Sequence, residues 1–278
     1  MMRNETVGKL KTAMCILRET GGCVVAFSGG VDSAVVTAVA REVLGDRVLA
    51  VTGDSASLPA RERGDAVRVA AFTGVRHRFI RTKELSDGRY AANPPDRCFY
   101  CKDELYSRLF EIAGDEGLPA VVDGQNADDA SDYRPGSEAA RRHAVRSPLK
   151  EAGLSKAEVR EIARDRGIPI WDKPASPCLA SRFPYGTTIT ADALARADTA
   201  EIFVRSLGFR DVRVRVRGGS ATVEAEPGSV ARLLDPALAA RVVEALQGMG
   251  FADVRIDPEG FRSGKMNEGM INGESVNG

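Results

Sequence analysis

The run Cys23-Val24-Val25-Ala26-Phe27 passes directly into Ser28-Gly29-Gly30-Val31-Asp32-Ser33. An unbroken apolar run bounded by turn residues reads as a strand buried on both faces. From Val31 to Leu44 the apolar residues return at helical spacing. Strand, glycine turn and helix in that order form a phosphate cradle. Glycines let the backbone approach an anion, and free amides at the helix N-terminus attract it. Ser28, Gly29, Gly30, Asp32 and Ser33 are therefore candidate phosphate-binding residues. The two hydroxyls add hydrogen bonds, and Asp32, in the first helical turn, is suited to holding a magnesium-chelated pyrophosphate. The loop lacks a Gly-Lys-Ser/Thr ending, so it is not the phosphate loop of GTPases and kinases. The plainer alternative is a tight turn capped by Ser28.

The alternation continues in both directions. Residues 5–20 carry helical spacing (Val7, Leu10, Met14, Leu17) up to Gly21-Gly22. Strands are predicted at Val48–Val51, Val75–Ile80 and Ala120–Asp123, and helices at Leu58–Phe72, Cys101–Gly114 and Ser155–Arg166. Ser155 and Glu158 form a capping box. Such alternation implies an α/β fold with a doubly wound parallel sheet. Trp171–Thr190 has three prolines and no periodicity, and reads as a loop and linker. Beyond it come a helix at Ala191–Leu207 and short strands at Val212–Val216 and Ala221–Ala225. Helices near Val230–Leu234 and Pro236–Gln247 and a strand at Val254–Ile256 complete a small α+β domain, expected to be ferredoxin-like. The expected boundaries are 1–186 for the first domain, 187–267 for the second and 268–278 for a flexible tail.

Composition narrows the class. The 278 residues carry 39 Lys+Arg and 39 Asp+Glu, which leaves no global basic field to drive nucleic-acid binding. No stretch of about 18 apolar residues would span a bilayer. The first residues are amphipathic rather than a secretory leader. Five cysteines in such a chain are a poor disulfide framework. A cytoplasmic enzyme is expected, with neither nucleic-acid nor membrane partners.

Arg97-Cys98-Phe99-Tyr100-Cys101-Lys102 sets a CxxC at a helix start, where the helix dipole and flanking cations favour thiolates. A lone CxxC supplies only two ligands, and His77 and His143 have no ligand-like spacing. Cys178, in Pro177-Cys178-Leu179-Ala180-Ser181-Arg182, lies in a loop with Lys173 and Arg182 beside it. Three loop thiols can hold a four-iron cluster with one iron open. The alternative for the CxxC is a pair of incidental thiols. Cys15 and Cys23, on the amphipathic helix and the buried strand, read as core.

SGGVDS between strand and helix resembles the pyrophosphate-loop ATPases, which cleave ATP between its α- and β-phosphates and adenylylate a substrate oxygen. A more selective resemblance rests on RCFYCK, DGQNADDASDYRPG (123–136), VRSPL (145–149), PCLASRFPYG (177–186), VRVRVRG (212–218) and GFRSGKMN (260–267). Together these resemble the LarE family, ATP-dependent sulfurtransferases of pyridinium-3,5-biscarboxylic acid mononucleotide in nickel-pincer nucleotide cofactor synthesis for lactate racemase. The resemblance implies ATP and Mg2+ as cofactors, an acyl-adenylate intermediate, thiocarboxylate products, a sulfide or other sulfur donor, and a homo-oligomer, trimeric or hexameric. It implies either a [4Fe-4S] cluster on Cys98, Cys101 and Cys178, with a transferable sulfide, or sacrifice of the Cys178 sulfur to leave dehydroalanine. The presence of all three cysteines favours the cluster.

Other candidates follow. Asp123, Asn126 and Asp128 come after a strand's C-terminal end, where α/β sheets place ligands, and are assigned to ATP. Ordinary turn chemistry is their alternative. Arg213 and Arg215 share one strand face and are suited to a substrate phosphate, unless the face is simply solvated. Ser181 and Arg182 are assigned to substrate as well. Glu201 and Glu224 resemble acidic positions near the substrate or a divalent metal. Gln125, where a small hydroxyl residue is expected, and the non-acidic turn Pro227-Gly228-Ser229 depart from the family pattern, and the latter puts a C-terminal metal in doubt. Competing readings are a tRNA-thiolating enzyme, an ammonia-using ligase of the NAD-synthetase kind, and a non-catalytic metal or sulfur carrier.

Overall fold

The computed structural model describes residues 2–130 and 135–262. It divides into two compact units, Met1–Ser176 and Pro177–Gly278. The Cys178 loop thus groups with the second unit. The tail expected at 268–278, and the 131–134 and 263–267 parts of the quoted motifs, lie outside the described residues.

The first unit runs α1 (Asn4–Glu19), β1 (Cys23–Ala26), α2 (Val31–Leu44), β2 (Val48–Asp54), α3 (Ala60–Thr73), β3 (Arg76–Arg81), α4 (Gly88–Ala91), α5 (Arg97–Asp115), β4 (Ala120–Val122), α6 (Pro135–Arg142), α7 (Pro148–Glu151) and α8 (Lys156–Asp165). Its strands lie in the order β3-β2-β1-β4, all parallel. Side chains alternate across the sheet. Cys23, Val25 and Phe27 enter a core with Leu10 and Leu17 of α1, Val35 and Val39 of α2, Val69 of α3 and Ile162 of α8. Val24 and Ala26 face Tyr106, Leu109 and Ala113 of α5. Helices on both faces explain why β1 is apolar throughout, and each large buried aliphatic contributes about 1.5–3 kcal/mol.

Two local readings need correction. Helix α5 begins at Arg97, just after Pro94-Pro95-Asp96 and ahead of the predicted Cys101, so the CxxC does sit at the helix start, but Cys98 and Cys101 are helical rather than loop thiols. Cys15 is exposed, because α1 buries Thr6, Leu10, Ala13 and Leu17, a face that position 15 does not share; Cys23 is buried. Burial pushes the Cys23 thiol up to about 12, which leaves it an inert core group. The capping box of α8 is present, with Ser155 Oγ accepting from the Glu158 amide and the Glu158 carboxylate accepting from the Ser155 amide.

The second unit contains α9 (Ala191–Ser206), β5 (Val212–Arg217), β6 (Ser220–Ala225), α10 (Val230–Leu233), α11 (Pro236–Gly248) and β7 (Asp253–Ile256). Strands β5 and β6 form an antiparallel hairpin across Gly218-Gly219, with Gly218 at φ +56° as a tight turn requires. Strand β7 pairs parallel to β6. The unit is α+β but not ferredoxin-like: among the described residues no strand precedes α9, and the sheet is three-stranded and mixed. No helix among the described residues is long and apolar enough to cross a membrane.

Candidate active site

The glycine loop is held open by its own serines. Ser33 Oγ donates to the Gly30 carbonyl at 3.0 Å, accepts from the Ser28 amide at 3.3 Å and lies 3.2 Å from Ser28 Oγ. Ser28 Oγ also accepts from the Gly30 amide at 3.3 Å. Gly29 sits at φ +74°, and a Cβ there would meet the Glu62 carbonyl at 2.9 Å, so the position requires glycine.

Asp32, read with the glycine loop, and Asn126 and Asp128, read with a strand end, come together here. Asp32 Oδ1 accepts from Asn126 Nδ2 at 3.3 Å, and Asn126 Oδ1 accepts from the Asp128 amide at 3.0 Å. The cluster is joined by Lys156, which the sequence did not single out: its ammonium pairs with Asp32 Oδ2 and its amide donates to Asp128 Oδ2 at 2.9 Å. Lys156 opens α8, so the capping box that starts this helix also aims the lysine.

Asp123 is buried and saturated by the chain. It accepts from Tyr106 Oη at 2.9 Å, Ser147 Oγ at 2.7 Å, Gln125 Nε2 at 2.7 Å and the Gln125 amide at 3.1 Å. Burial, with Asp123 beside it, raises the Tyr106 hydroxyl well above its usual range, so Tyr106 stays a donor. Asp123 thereby fixes the strand end rather than presenting an oxygen outward. Gln125, the departure noted above, is part of this network and also accepts from Ser137 Oγ at 2.8 Å. Gly124 closes the arrangement, since a Cβ there would lie 2.7 Å from the Ser33 amide nitrogen. Gly124→Ala is expected to push the loop out of shape, costing about 1–3 kcal/mol of stability. A urea titration and the KM for ATP check this; wild-type values for both would contradict it.

Cys98 is exposed, and Cys101, one turn along α5, is half-buried. Cys178, also half-buried, immediately precedes a 3-10 turn at Leu179–Arg182. None of the three thiols is sealed in a core. Among the described residues no group of three or more His, Cys, Asp or Glu is arranged to hold a metal ion.

In the second unit, Arg182 is almost wholly buried. Its Nε and Nη2 donate to Glu201 at 2.6 and 3.1 Å, and its Nη1 donates to the Pro177 carbonyl at 3.2 Å and to Ser181 Oγ at 2.8 Å. Glu201 also accepts from Arg205 at 2.8 Å and from the Val214 amide at 3.1 Å. Burial opposes the charge of both partners, but the Arg182 hydrogen bond and charge outweigh it, holding Glu201 below and Arg182 above their usual ranges. This corrects two readings. Arg182 braces the Cys178 loop, its guanidinium directed at Glu201 rather than outward to a substrate. Glu201 and Glu224 engage arginines instead of forming a metal site, Glu224 accepting from Arg215 Nε at 3.0 Å.

Removing one partner of such a buried pair strands the other's charge, so Glu201→Gln should cost about 3–5 kcal/mol in urea unfolding. The same depressed carboxyl gives a pH dependence. Its stabilisation is complete above the ordinary value of 4.5 and is lost as pH falls through the lower folded value. Unfolding free energies measured from pH 7 down to strongly acid conditions should show that fall in the wild type and a weaker one in the variant.

Arg213 lies with its guanidinium carbon 3.3 Å from the Phe261 ring centroid. Burial first, then the charge of Arg182 and Arg215, pushes it down to about 10. Arg215 Nη1 donates to the Ser181 carbonyl at 2.6 Å, tying β5 to the Cys178 loop. Ser181, Arg182, Arg213 and Arg215 are thus gathered around one strand and one turn.

A family profile described as asparagine synthase matches residues 13–93. The chain is 29% identical over 283 residues to the tRNA-specific 2-thiouridylase MnmA of Methylobacterium sp., covering 84% of this chain and 73% of that one. It is 43% identical over 259 residues to an uncharacterized protein of Synechocystis sp., covering 93% and 97%. It is 40% identical over 261 residues to the pyridinium-3,5-bisthiocarboxylic acid mononucleotide synthase of Lactiplantibacillus plantarum, covering 94% of each. The chain belongs to the LarE family. It is an ATP-using enzyme of the pyrophosphate-loop class, and the parallel sheet with its glycine loop is the fold of that class.

Proposed function

We propose that this LarE-family chain transfers sulfur, at the expense of ATP, to the carboxylates of pyridinium-3,5-biscarboxylic acid mononucleotide. The observation that carries the reading is its end-to-end similarity to the L. plantarum synthase in a chain whose glycine loop is intact. The first unit, as an ATP-binding domain, takes the phosphates on the amides of Ser28 to Ser33. Asp32, Asn126 and Asp128, with Lys156, face their magnesium-chelated end. The second unit takes the substrate phosphate on Arg213 and Arg215. There the crowded guanidiniums gain most from an added dianion, and bidentate contact gives geometric selection.

A carboxylate is a poor electrophile until one oxygen becomes a good leaving group. Its oxygen attacks the α-phosphorus of ATP, pyrophosphate leaves, and an acyl adenylate forms. A sulfur nucleophile then attacks the acyl carbon and AMP departs, leaving a thiocarboxylate. A second round converts the other carboxylate. In this reading Cys98, Cys101 and Cys178 would hold a four-iron cluster, which would supply a replaceable sulfide as the nucleophile. A second reading has Cys178 give up its own sulfur to the acyl carbon, leaving dehydroalanine in the chain.

The test of the substrate assignment is Arg213→Gln. Loss of a charged hydrogen bond worth about 1.5–3 kcal/mol should raise KM for the pyridinium nucleotide roughly ten- to a hundredfold. KM for ATP should not move. An equal loss for both would place Arg213 elsewhere.

A further inference from the structure

Lys173 entered the sequence reading only as a neighbour of Cys178, yet its side chain is 5% exposed and ends between two carboxylates that no step of the proposed reaction uses. Its ammonium lies 2.7 Å from Glu62 Oε2 and 2.6 Å from Asp65 Oδ2, carboxylates one turn apart on α3 that are themselves 6% and 7% exposed. It also donates to the carbonyl of Gly29 at 3.2 Å. The backbone of the lysine is fixed in turn, since Arg160 of α8 donates to its carbonyl at 2.7 Å.

We propose that Lys173 is a positioning residue that sets the polarity of the phosphate loop. A loop binds an anion only if its amides point toward it, and each carbonyl that turns the same way repels it. Gly29, at φ +74°, can turn its carbonyl in either direction. The buried ammonium draws that carbonyl inward, and the two carboxylates of α3 hold the ammonium in place. The backbone of α3 packs against the same glycine, with the Glu62 carbonyl where a Cβ would fall. The two carboxylates that hold the ammonium and the carbonyl that sets the steric fit both come from α3, and both act on Gly29. The proposal rests on the ATP reading of the loop and adds the group that enforces it.

The test compares wild type with K173M/E62Q/D65N, which removes the charges without leaving a carboxylate stranded, and with Lys173→Arg, which keeps the charge but moves the donors. Circular dichroism and gel filtration establish folding. Substrate-dependent pyrophosphate release then gives KM for ATP, KM for the pyridinium nucleotide, and kcat. The expected result is a rise in KM for ATP of about tenfold or more, with KM for the nucleotide unchanged and kcat little altered, and a smaller rise in Lys173→Arg. Wild-type KM for ATP in the folded triple variant would overturn the proposal; should that variant not fold, wild-type KM for ATP in Lys173→Arg would do so. Wild-type protein that does not bind ATP at all would instead overturn the reading of the loop, and this proposal with it.

Discussion

Asp32→Ala is expected to abolish substrate-dependent pyrophosphate release and leave the protein folded. The carboxylate sits on the first turn of α2 with its side chain 23% exposed, held by Asn126 and the Lys156 ammonium. A partly exposed pair of this kind contributes only about 0–1 kcal/mol to stability, so the melting transition should barely move. In the proposed reading its contribution to the reaction is larger, because the carboxylate, beside Asn126 and Lys156, would hold the magnesium ion that neutralises the departing pyrophosphate. Loss of one preorganised electrostatic group at such a site costs about 2.7–4 kcal/mol, a factor of 10²–10³ in kcat. Pyrophosphate release and urea unfolding, measured side by side, separate the two effects. Unchanged release would remove ATP activation from this loop.

Cys178→Ala is expected to eliminate thiocarboxylate formation and retain pyrophosphate release. Adenylation needs only ATP and a correctly held carboxylate, whereas the second step needs sulfur, and both sulfur routes pass through Cys178. Its loop is braced by Arg182–Glu201 and by Arg215 on the Ser181 carbonyl, so removal of one Sγ leaves the brace intact. Cys98→Ala and Cys101→Ala distinguish the routes. With a cluster, each removes iron and acid-labile sulfide and stops sulfur transfer after anaerobic purification. With a sacrificial Cys178, both retain one turnover and the product protein lacks one sulfur. Full sulfur transfer by Cys178→Ala would contradict both.

Much of the fold was legible because its signals are local. An apolar run closed by Ser28-Gly29-Gly30, the helical spacing of Val31–Leu44 and the Ser155/Glu158 box each lie within a few residues, and each has a single structural solution. The grouping of the candidate site was legible in part. Asp32 and Ser33 declare themselves through the loop, whereas Lys156 meets Asp32 across 124 residues and Lys173 meets Glu62 across 111. No periodicity encodes such pairings. Arg182 was misassigned because beside Cys178 an arginine looks like a ligand for an anion. Only burial shows that Glu201, nineteen residues on, already neutralises it. Gly124 lay within a quoted motif, but its close approach to the Ser33 amide is a fact of tertiary structure.

The most direct test of the account is mass spectrometry of the nucleotide after anaerobic incubation of the protein with ATP and pyridinium-3,5-biscarboxylic acid mononucleotide. The expected product has an oxygen replaced by sulfur, accompanied by equal amounts of AMP and pyrophosphate. AMP and pyrophosphate with no sulfur in the nucleotide, or an amide in place of the thiocarboxylate, would contradict it.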